Sequence, residues 1–236
     1  MIYKFADFIV EFPEVSPELR NYCRGYRVHD ISPDIVLSLT QEDYLVWKKG
    51  GNQETWTGEF DCLFRYKKIA DWLPNQNAFV FHASSFDVNG TGVAFAAHSG
   101  TGKTTHMLLW KEYLGDKMRI VNGDKPIVRF FPEEPETPYA YGTPWCGKEH
   151  YGSNTRTPLK HICFIERSET NWVETIDKKD AVNRIFNQVY MPKDPMAVMK
   201  TMELIDKTLS CCQLWIIHCN MEPDAAETAY RAIFGQ

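Results

Sequence analysis

The sequence has no long apolar run, no excess of basic residues and no paired-cysteine motif. No stretch approaches the roughly 18 consecutive apolar residues that a membrane-spanning helix needs. The N-terminal stretch MIYKFADFIVEF lacks the basic region followed by a long apolar run that is typical of a secretory signal. We therefore expect a cytoplasmic protein that does not enter a membrane.

Charge and cysteine usage exclude two further classes of protein. Lysine and arginine number 26 against 31 acidic residues, which gives a net charge of −5. With no Lys/Arg cluster in the chain, this balance argues against a nucleic-acid groove. The 7 cysteines are scattered and form no C-x-x-C pair, so reduced thiols are favoured over a disulfide framework or a zinc site.

The chain of 236 residues is long enough for one sizeable core with an accessory layer. Residues 1–75 are predicted to form a β-rich N-terminal region on which Trp47 and Trp56 pack, and residues 76–236 an α/β domain. From Asp61 to Pro74 the apolar spacing changes to that of a helix. The N-terminal strands are expected at residues 3–12, 22–28, 35–39 and 44–48, where β-branched and aromatic side chains collect.

The most informative stretch has the sequence SGTGKTT. It fits the G-x-x-x-x-G-K-[ST] phosphate-binding pattern, except that Ala97 stands where the first glycine is usual. An apolar run of strand length precedes it, and a helix-length segment ending at Gly115 follows it. Strand, glycine loop and helix are the context that this motif requires. The candidate nucleotide-binding residues are Ser99, Gly100, Thr101, Gly102, Lys103, Thr104 and Thr105.

This loop predicts a site for ATP and Mg²⁺. Its backbone N–H groups would point into one concavity, to which the helix N-terminus adds its positive end. Lys103 would reach the β- and γ-phosphates, and the Thr104 hydroxyl would bind Mg²⁺. The alternative is a glycine-rich turn before a helix with an exposed lysine, which the matching flanks disfavour.

Two further residues on neighbouring strands are candidates for the same site. Residues 78–88 are predicted to form one strand, and Asn89-Gly90 a hairpin turn that leads into the strand before the loop. His82 on that first strand either faces the phosphates or is a core histidine. Asp124 follows the strand after the loop helix, where a magnesium-binding acid belongs. It also lies in an Asn-Gly-Asp sequence that is typical of a turn, and both descriptions can hold.

The glycine- and proline-rich stretch from Tyr141 to Lys148 has two interpretations. Lys148 either approaches a phosphate or an acidic substrate, or the stretch serves mainly to let Pro144-Trp145 cover the core. The remaining chain reads as scaffold, with strands at residues 159–165 and 214–218 and three helices among them and after them.

Taken together, His82-Ala-Ser-Ser, the hairpin and Ser99-Gly-Thr-Gly-Lys-Thr resemble the family of HPr kinase/phosphorylase and phosphoenolpyruvate carboxykinase. The similarity is greatest to the smaller HPr-kinase-related proteins of bacteria, and it covers residues 78–129 well. The resemblance implies an α/β fold with a P-loop core and a mixed central sheet, beside the small β-rich N-terminal layer. It also implies that two adjacent aspartates after the loop helix bind metal and act as catalytic base.

The sequence departs from the family at those two aspartates. It has Gly123-Asp124, or Asp124-Lys125 if the register shifts by one. One carboxylate cannot easily bind metal and deprotonate a hydroxyl at once. Either His82 or an unplaced acid is the base, or Asp124 is the base and Mg²⁺ is held by Thr104 and phosphates, or the protein binds nucleotide without turnover.

Two functions follow from these residues. The leading interpretation is a Mg-ATP-dependent kinase that phosphorylates a hydroxyl of a protein, peptide or small molecule. Its catalytic residues would be Asp124, His82 and Lys103, and its metal ligands Thr104 and Asp124. The rival is a nucleotide-binding regulatory or accessory protein that needs no base. Neither involves nucleic acid or a membrane, and a homo-oligomer is compatible with both.

Overall fold

The computed structural model describes residues 1–49 and 58–235, which form a mixed α/β structure with a small sheet and a large one. The small sheet has 4 strands in the order β3-β1-β2-β4. Its first two strands form an antiparallel hairpin in which Phe5 lies opposite Phe8. The strands are β1 (Ile2–Phe5), β2 (Phe8–Glu11), β3 (Arg27–Val28) and β4 (Ile35–Val36).

The N-terminal region is less β-rich than its composition predicts. It also contains helices α1 (Pro17–Tyr22), α2 (Gln41–Lys49) and α3 (Gly58–Trp72). The expectation of a helix after residue 61 is confirmed, although that helix begins earlier. The side chain of Trp47 and the whole of Trp56 lie outside the described residues.

Two predicted strands in this region are wrong, and the one predicted at residues 3–12 is the hairpin of β1 and β2. The one at residues 44–48 lies inside α2, which begins with a reciprocal cap. Thr40 Oγ1 accepts the Asp43 N–H at 3.2 Å, and the Asp43 carboxylate accepts the Thr40 N–H at 2.7 Å. The one at residues 22–28 starts at the end of α1, continues as a 3-10 turn and is extended only in β3. At residues 44–48 local capping prevails over the β propensity of the side chains.

The large sheet has 9 strands and contains all five of the segments expected there, near residues 80, 94, 119, 161 and 216. The main path of the sheet is β5-β9-β10-β11-β7-β6-β8; β13 pairs with β11, and β12 with β13. The strands are β5 (Ala78–Val80), β6 (Ala83–Val88), β7 (Thr91–Ala96), β8 (Met118–Asn122), β9 (Ile127–Phe131), β10 (Glu134–Tyr141), β11 (Arg156–Arg167), β12 (Trp172–Thr175) and β13 (Gln213–Cys219).

Helices cover both faces of this sheet. They are α4 (Lys103–Leu114), α5 (Lys178–Phe186), α6 (Pro195–Cys211) and α7 (Asp224–Phe234). Alternate residues of β7 point to opposite faces, as the pleat requires. Ala94 packs in the cluster that includes α5 and α6 residues, whereas Phe95 packs with Trp110 and the residues of α7. The strand before the glycine loop is therefore buried on both faces, which fixes the position where the loop begins.

The predicted hairpin is confirmed. β6 and β7 pair antiparallel, with Val88 opposite Thr91. The turn residues Asn89 and Gly90 have φ of 50° and 87°, the positive values that a tight two-residue turn of this kind needs. This arrangement sets an antiparallel neighbour beside the strand that carries the loop.

Residues 78–88 nevertheless form two strands and not the single strand predicted. β5 pairs with β9, whereas β6 pairs with β7 and β8. The chain changes direction at Phe81 and His82, where the His82 N–H donates to Gln188 O at 2.6 Å. The break is thus held by hydrogen bonds to the segment after α5 and to the turn after β8, where the Phe81 N–H donates to Pro126 O. A local sequence pattern cannot predict these distant partners.

The small sheet packs against the edge of the large one. Tyr3 and Phe5 share a buried cluster with Val80 and Ile127 of the large sheet and with Trp145. The interface is aromatic, so it buries much apolar surface from few residues. It holds the chain between β10 and β11 against the N-terminal region.

All seven cysteines are free thiols. Within residues 1–49 and 58–235, none of the helices combines the length and the apolar content that a bilayer crossing demands.

Candidate functional site

The glycine loop (residues 97–102) connects β7 to α4. Gly100 and Gly102 have φ of 79° and 124°, which only glycine adopts easily. A Cβ at either residue would meet nothing within 4 Å, so backbone conformation and not space requires glycine there. Gly102 is the N-cap of α4 and provides no side-chain cap. The first turn of α4 therefore presents backbone N–H groups without a capping side chain, as an anion site requires.

The Lys103 side chain folds back onto the start of the glycine loop. Its side chain is buried, and its Nζ donates to Ala97 O at 2.8 Å. Burial lowers the pKa of Lys103, while the nearby Asp124 opposes that shift. The carbonyl that Lys103 binds belongs to the residue that replaces the usual first glycine. A phosphate on the loop would compete with this carbonyl for the three N–H groups of the Lys103 ammonium.

Arg167 holds the loop from the other side, and sequence reasoning missed it. Its guanidinium donates to Gly100 O and, at 3.2 Å, to Thr101 O. Arg167 is the last residue of β11, which runs parallel to β7. The available signal was an arginine at the carboxyl end of a buried strand, because parallel strands end at the same edge of a sheet.

Asp124 lies on a turn that Asn122 organises. Asn122 Oδ1 accepts the N–H groups of Asp124 and Lys125 at 2.8 and 2.7 Å. Its amide donates to Thr143 O and Oγ1 at 3.2 and 2.9 Å, which connects this turn to the chain after β10. The sequence is therefore both a turn and the place where a carboxylate is presented.

Both oxygens of the Asp124 carboxylate have a protein partner. His82 Nε2 lies 3.1 Å from Oδ1, and Lys125 Nζ contacts Oδ2. Burial raises the pKa of Asp124, but the hydrogen bonds from His82 and Lys125 outweigh it and lower that pKa to about 2. Asp124 is accordingly ionised at neutral pH and fixed in orientation.

The glycine loop and Asp124 line a common pocket of about 270 Å³, here called the loop pocket. It adjoins a larger pocket of about 530 Å³, the outer pocket, and Thr104 and Asp124 line both. His82 is absent from both linings and so contacts the site through Asp124. The predicted residues of the loop pocket are Ser99, Gly100, Gly102, Lys103, Thr104, Thr105 and Asp124; Thr101 lies on the opposite side of the loop.

The donor groups fit Mg²⁺ bound as a nucleotide complex. Mg²⁺ prefers oxygen ligands and usually takes only one or two carboxylates beside phosphate and water. Thr104 supplies a hydroxyl, and each Asp124 oxygen has a further lone pair besides the one that meets its present partner. Among the described residues, no cluster of three or more His, Cys, Asp or Glu side chains could hold a metal without the nucleotide.

The surroundings of residue 123 explain why it is a glycine and not the second acid that the resemblance implies. A Cβ there would lie 2.8 Å from Cys146 O and 3.1 Å from Tyr151 O. The Gly123 N–H also donates to Tyr151 O at 2.7 Å, and its carbonyl accepts from Ser84 Oγ. The backbone after β10 therefore occupies the space that a side chain at residue 123 would need.

Of the two interpretations of the 141–148 stretch, the structure confirms that Trp145 covers the core, and the approach of Lys148 to a phosphate or an acidic substrate stays a prediction. Trp145 is buried, with its ring 5.5 Å from that of Phe5 and 5.6 Å from that of Tyr66. Lys148 is exposed and lines the outer pocket. Tyr22 of the N-terminal region lines the same pocket, and sequence reasoning missed it because nothing local marks it.

The comparisons with known proteins give a distant structural similarity. No family model matches the chain, and no curated protein matches it. Among solved structures, the Hpr(Ser) kinase/phosphatase from Coxiella burnetii matches 53% of this chain and 93% of its own, with 10% sequence identity and a TM-score of 0.32. At that level of similarity, a function has to be argued from the site.

Proposed function

We propose that the chain is a Mg-ATP-dependent phosphotransferase that acts on a hydroxyl, with chemistry like that of HPr kinases. The observation that carries the proposal is the position of Asp124. One ionised carboxylate lines both the loop pocket, which suits phosphates, and the outer pocket, which is large enough for an acceptor. In a kinase the phosphate site and the acceptor site must adjoin each other, and here both are lined by Asp124.

The glycine loop would bind the phosphates. The N–H groups at the start of α4 face an anion favourably, and Lys103 would exchange the Ala97 carbonyl for phosphate oxygens. Thr104 and the phosphate oxygens would hold Mg²⁺, which neutralises charge on the transferred group when it is bound. Lys125, which lines the outer pocket, adds a second ammonium close to the same point.

Asp124 would orient the acceptor hydroxyl and accept its proton. The acceptor oxygen bonds to the γ-phosphorus while the bond from that phosphorus to the β–γ bridging oxygen breaks, and ADP leaves. A strong base is not required, because phosphoryl transfer is catalysed mainly by positioning and charge stabilisation. His82 and Lys125 would hold the carboxylate in place. We assign Asp124 the base role, and the magnesium dependence of nucleotide binding by Asp124→Asn distinguishes it from a direct metal ligand.

The outer pocket would bind the acceptor. Tyr22 and Trp145 supply aromatic surface, and Lys148 and Glu149 supply charge at its edge. Tyr22 comes from the N-terminal region, which supports a part for that region in acceptor binding. The acceptor could be a hydroxyl of a protein, a peptide or a small molecule. We expect this reaction in the cytoplasm, where the thiols stay reduced.

The rival function is a nucleotide-binding accessory protein. It is favoured by the absence of a second acid at residue 123 and by the partners on both oxygens of Asp124. Such a protein would bind Mg-ATP without transfer.

Phosphate transfer from labelled ATP to a panel of hydroxyl acceptors, measured for the wild type and Asp124→Asn, tests the proposal. We expect the variant to lose at least about a hundredfold in turnover and to keep its Mg-ATP affinity. The exposed Asp116→Asn is the matched control. If Asp124→Asn instead abolishes the Mg²⁺ dependence of nucleotide binding, Asp124 is a metal ligand. Tight ATP binding by a wild type that phosphorylates no acceptor would favour the rival.

A further inference from the structure

A further pocket of about 420 Å³ lies where the small sheet meets the large one, and it is called here the junction pocket. The β1–β2 hairpin lines one side of it, and the end of β10 and the start of β11 line the other. Among the described residues, its lining has no member in common with the loop pocket or the outer pocket. Every residue that lines it has a polar side chain; they are Lys4, Asp7, Tyr141, Asn154, Thr155 and Arg156.

Asp7 connects the charged groups of this pocket. Its Oδ1 lies 2.9 Å from Lys4 Nζ, and its Oδ2 accepts the Tyr141 hydroxyl at 2.5 Å. Arg156 Nη1 lies 3.4 Å from the same Oδ2. Burial raises the pKa of Asp7, but the hydrogen bonds from Tyr141 and Lys4 outweigh it and lower that pKa. Asp7 is therefore ionised at neutral pH, and the two cations leave the lining with one positive charge in excess.

The Arg156 guanidinium is held in place by aromatic rings and keeps unused donors. Its Cζ lies 4.8 Å from the ring centroid of Tyr139 and 5.4 Å from that of Phe131. Nη1 donates to the Tyr141 hydroxyl at 2.8 Å, whereas Nε and Nη2 have no hydrogen-bond acceptor among the described residues. A guanidinium that packs against rings and keeps free N–H groups is suited to bind a carboxylate or a phosphate through two parallel hydrogen bonds.

Thr155 supplies a polar group without a partner. Its Oγ1 is buried and has no hydrogen-bond partner among the described residues, although the residue lines the pocket. A buried hydroxyl without a partner is unfavourable, and an oxygen of a bound ligand would satisfy it. The amide of the neighbouring Asn154 donates to Gly25 O at 3.1 Å, which ties this side of the pocket to the N-terminal region.

The turn of the β1–β2 hairpin is held in an unusual conformation beside this pocket. Ala6 and Asp7 have φ of 49° and 64°, positive values that residues other than glycine seldom adopt. Arg129 Nη1 donates to Ala6 O at 2.5 Å and so fixes the turn against β9. The Asp7 side of the junction pocket is therefore formed before any ligand binds.

We infer that the junction pocket binds a small organic anion whose carboxylate or phosphate group pairs with Arg156 and Lys4. The excess positive charge favours an anion, and the volume lies in the range of pockets that hold small organic ligands. Lys4 belongs to the small sheet and Arg156 to the large one, so the bound anion would join the two sheets. A ligand that binds only the folded chain in this way also stabilises it. Because the pocket lies apart from the loop pocket and the outer pocket, its ligand is independent of the proposed function.

Calorimetry of the full chain with succinate and with glycerol phosphate tests the inference. We expect at least one of these probes to bind the wild type, and the one that binds identifies the group as a carboxylate or a phosphate. The uncharged analogues, succinamide and glycerol, should not bind. Arg156→Gln and Lys4→Gln should each weaken binding of the probe at least about tenfold, because each removes a charged donor. Lys193→Gln changes an exposed lysine outside the lining and is the matched control, which should bind like the wild type.

Three results would overturn the junction pocket as an anion site. The first is that neither probe binds the wild type. The second is an affinity that either variant, folded by its urea unfolding curve, leaves unchanged. The third is binding that Lys103→Ala abolishes and Lys4→Gln retains, because the probe then lies on the glycine loop. Lys4 is exposed on the hairpin, so Lys4→Gln decides the matter alone if Arg156→Gln does not fold.

Discussion

His82 Nε2 and Asp124 Oδ1 lie 3.1 Å apart although they belong to different strand ends. His82 follows the break after β5, and Asp124 follows β8. The Ala83 N–H donates to Asp124 O at 3.0 Å, so backbone and side chain both hold the pair together. The contact joins the two candidate residues that the sequence could not place relative to each other.

We expect His82 to be a positioning residue. His82→Ala should lower turnover about tenfold, because Asp124 loses a charge-assisted hydrogen bond. That bond lowers the pKa of Asp124, so the fall of turnover at acid pH should begin at higher pH in the variant. His82→Gln, which keeps an N–H donor, should restore part of the rate. The measurement is the pH profile of labelled phosphate transfer. If wild-type turnover falls over a range of pH in which the turnover of His82→Ala stays constant, His82 itself accepts the proton.

Lys103 is expected to carry much of the nucleotide affinity. Lys103→Ala should weaken Mg-ATP binding at least tenfold, about 1.4 kcal/mol, because it removes the ammonium nearest the loop. Thermal unfolding of the variant checks that losing the bond to Ala97 O leaves the protein folded. Lys117→Ala, an exposed lysine beyond α4, is the control for a general charge effect. Unchanged ATP affinity in folded Lys103→Ala would rule out the loop as the phosphate site.

Gly123 is expected to resist any side chain. Gly123→Ala should destabilise the protein by about 1–3 kcal/mol, since its Cβ would press on two backbone carbonyls that cannot easily move. Gly25→Ala is the control, because a Cβ there meets nothing within 4 Å. The measurement is the urea midpoint of unfolding of Gly123→Ala and of Gly25→Ala. Equal midpoints would mean that the chain after β10 yields readily, and that space does not explain the missing second acid.

His161 is expected to make stability depend on pH in the acid range. Burial lowers its pKa to about 4, and its Nδ1 accepts the Trp215 indole N–H at 3.2 Å. The unfolded chain, with an ordinary histidine pKa near 6.5, binds a proton more readily than the folded one. This contribution to stability is therefore complete above about pH 6.5 and is lost as the pH falls towards 4.

His161→Gln keeps a hydrogen-bond acceptor but does not titrate. Between pH 7 and pH 4.5 its urea midpoint should fall less than that of the wild type. The exposed His29→Gln should follow the wild type. If the two variants and the wild type all lose stability in parallel, the buried histidine is not the cause.

The sequence by itself determined the features that depend on near neighbours. A glycine with positive φ, an Asn-Gly turn and an apolar run each reflect the backbone preferences of a few residues. The glycine loop, the β6–β7 hairpin and the turn at Asp124 could therefore be predicted from it. The same reasoning failed at residues 44–48, where the cap between Thr40 and Asp43 outweighs the β propensity of the following side chains.

Only the tertiary structure decided which distant residues meet at the site. Arg167 reaches the loop because β11 pairs parallel with β7, and Tyr22 reaches the outer pocket because the small sheet packs on the large one. His82 became a partner of Asp124 because β6, which follows His82, pairs with β8, which precedes Asp124. Strand pairing and packing bring together residues that are far apart in the chain, and no local pattern encodes those pairings.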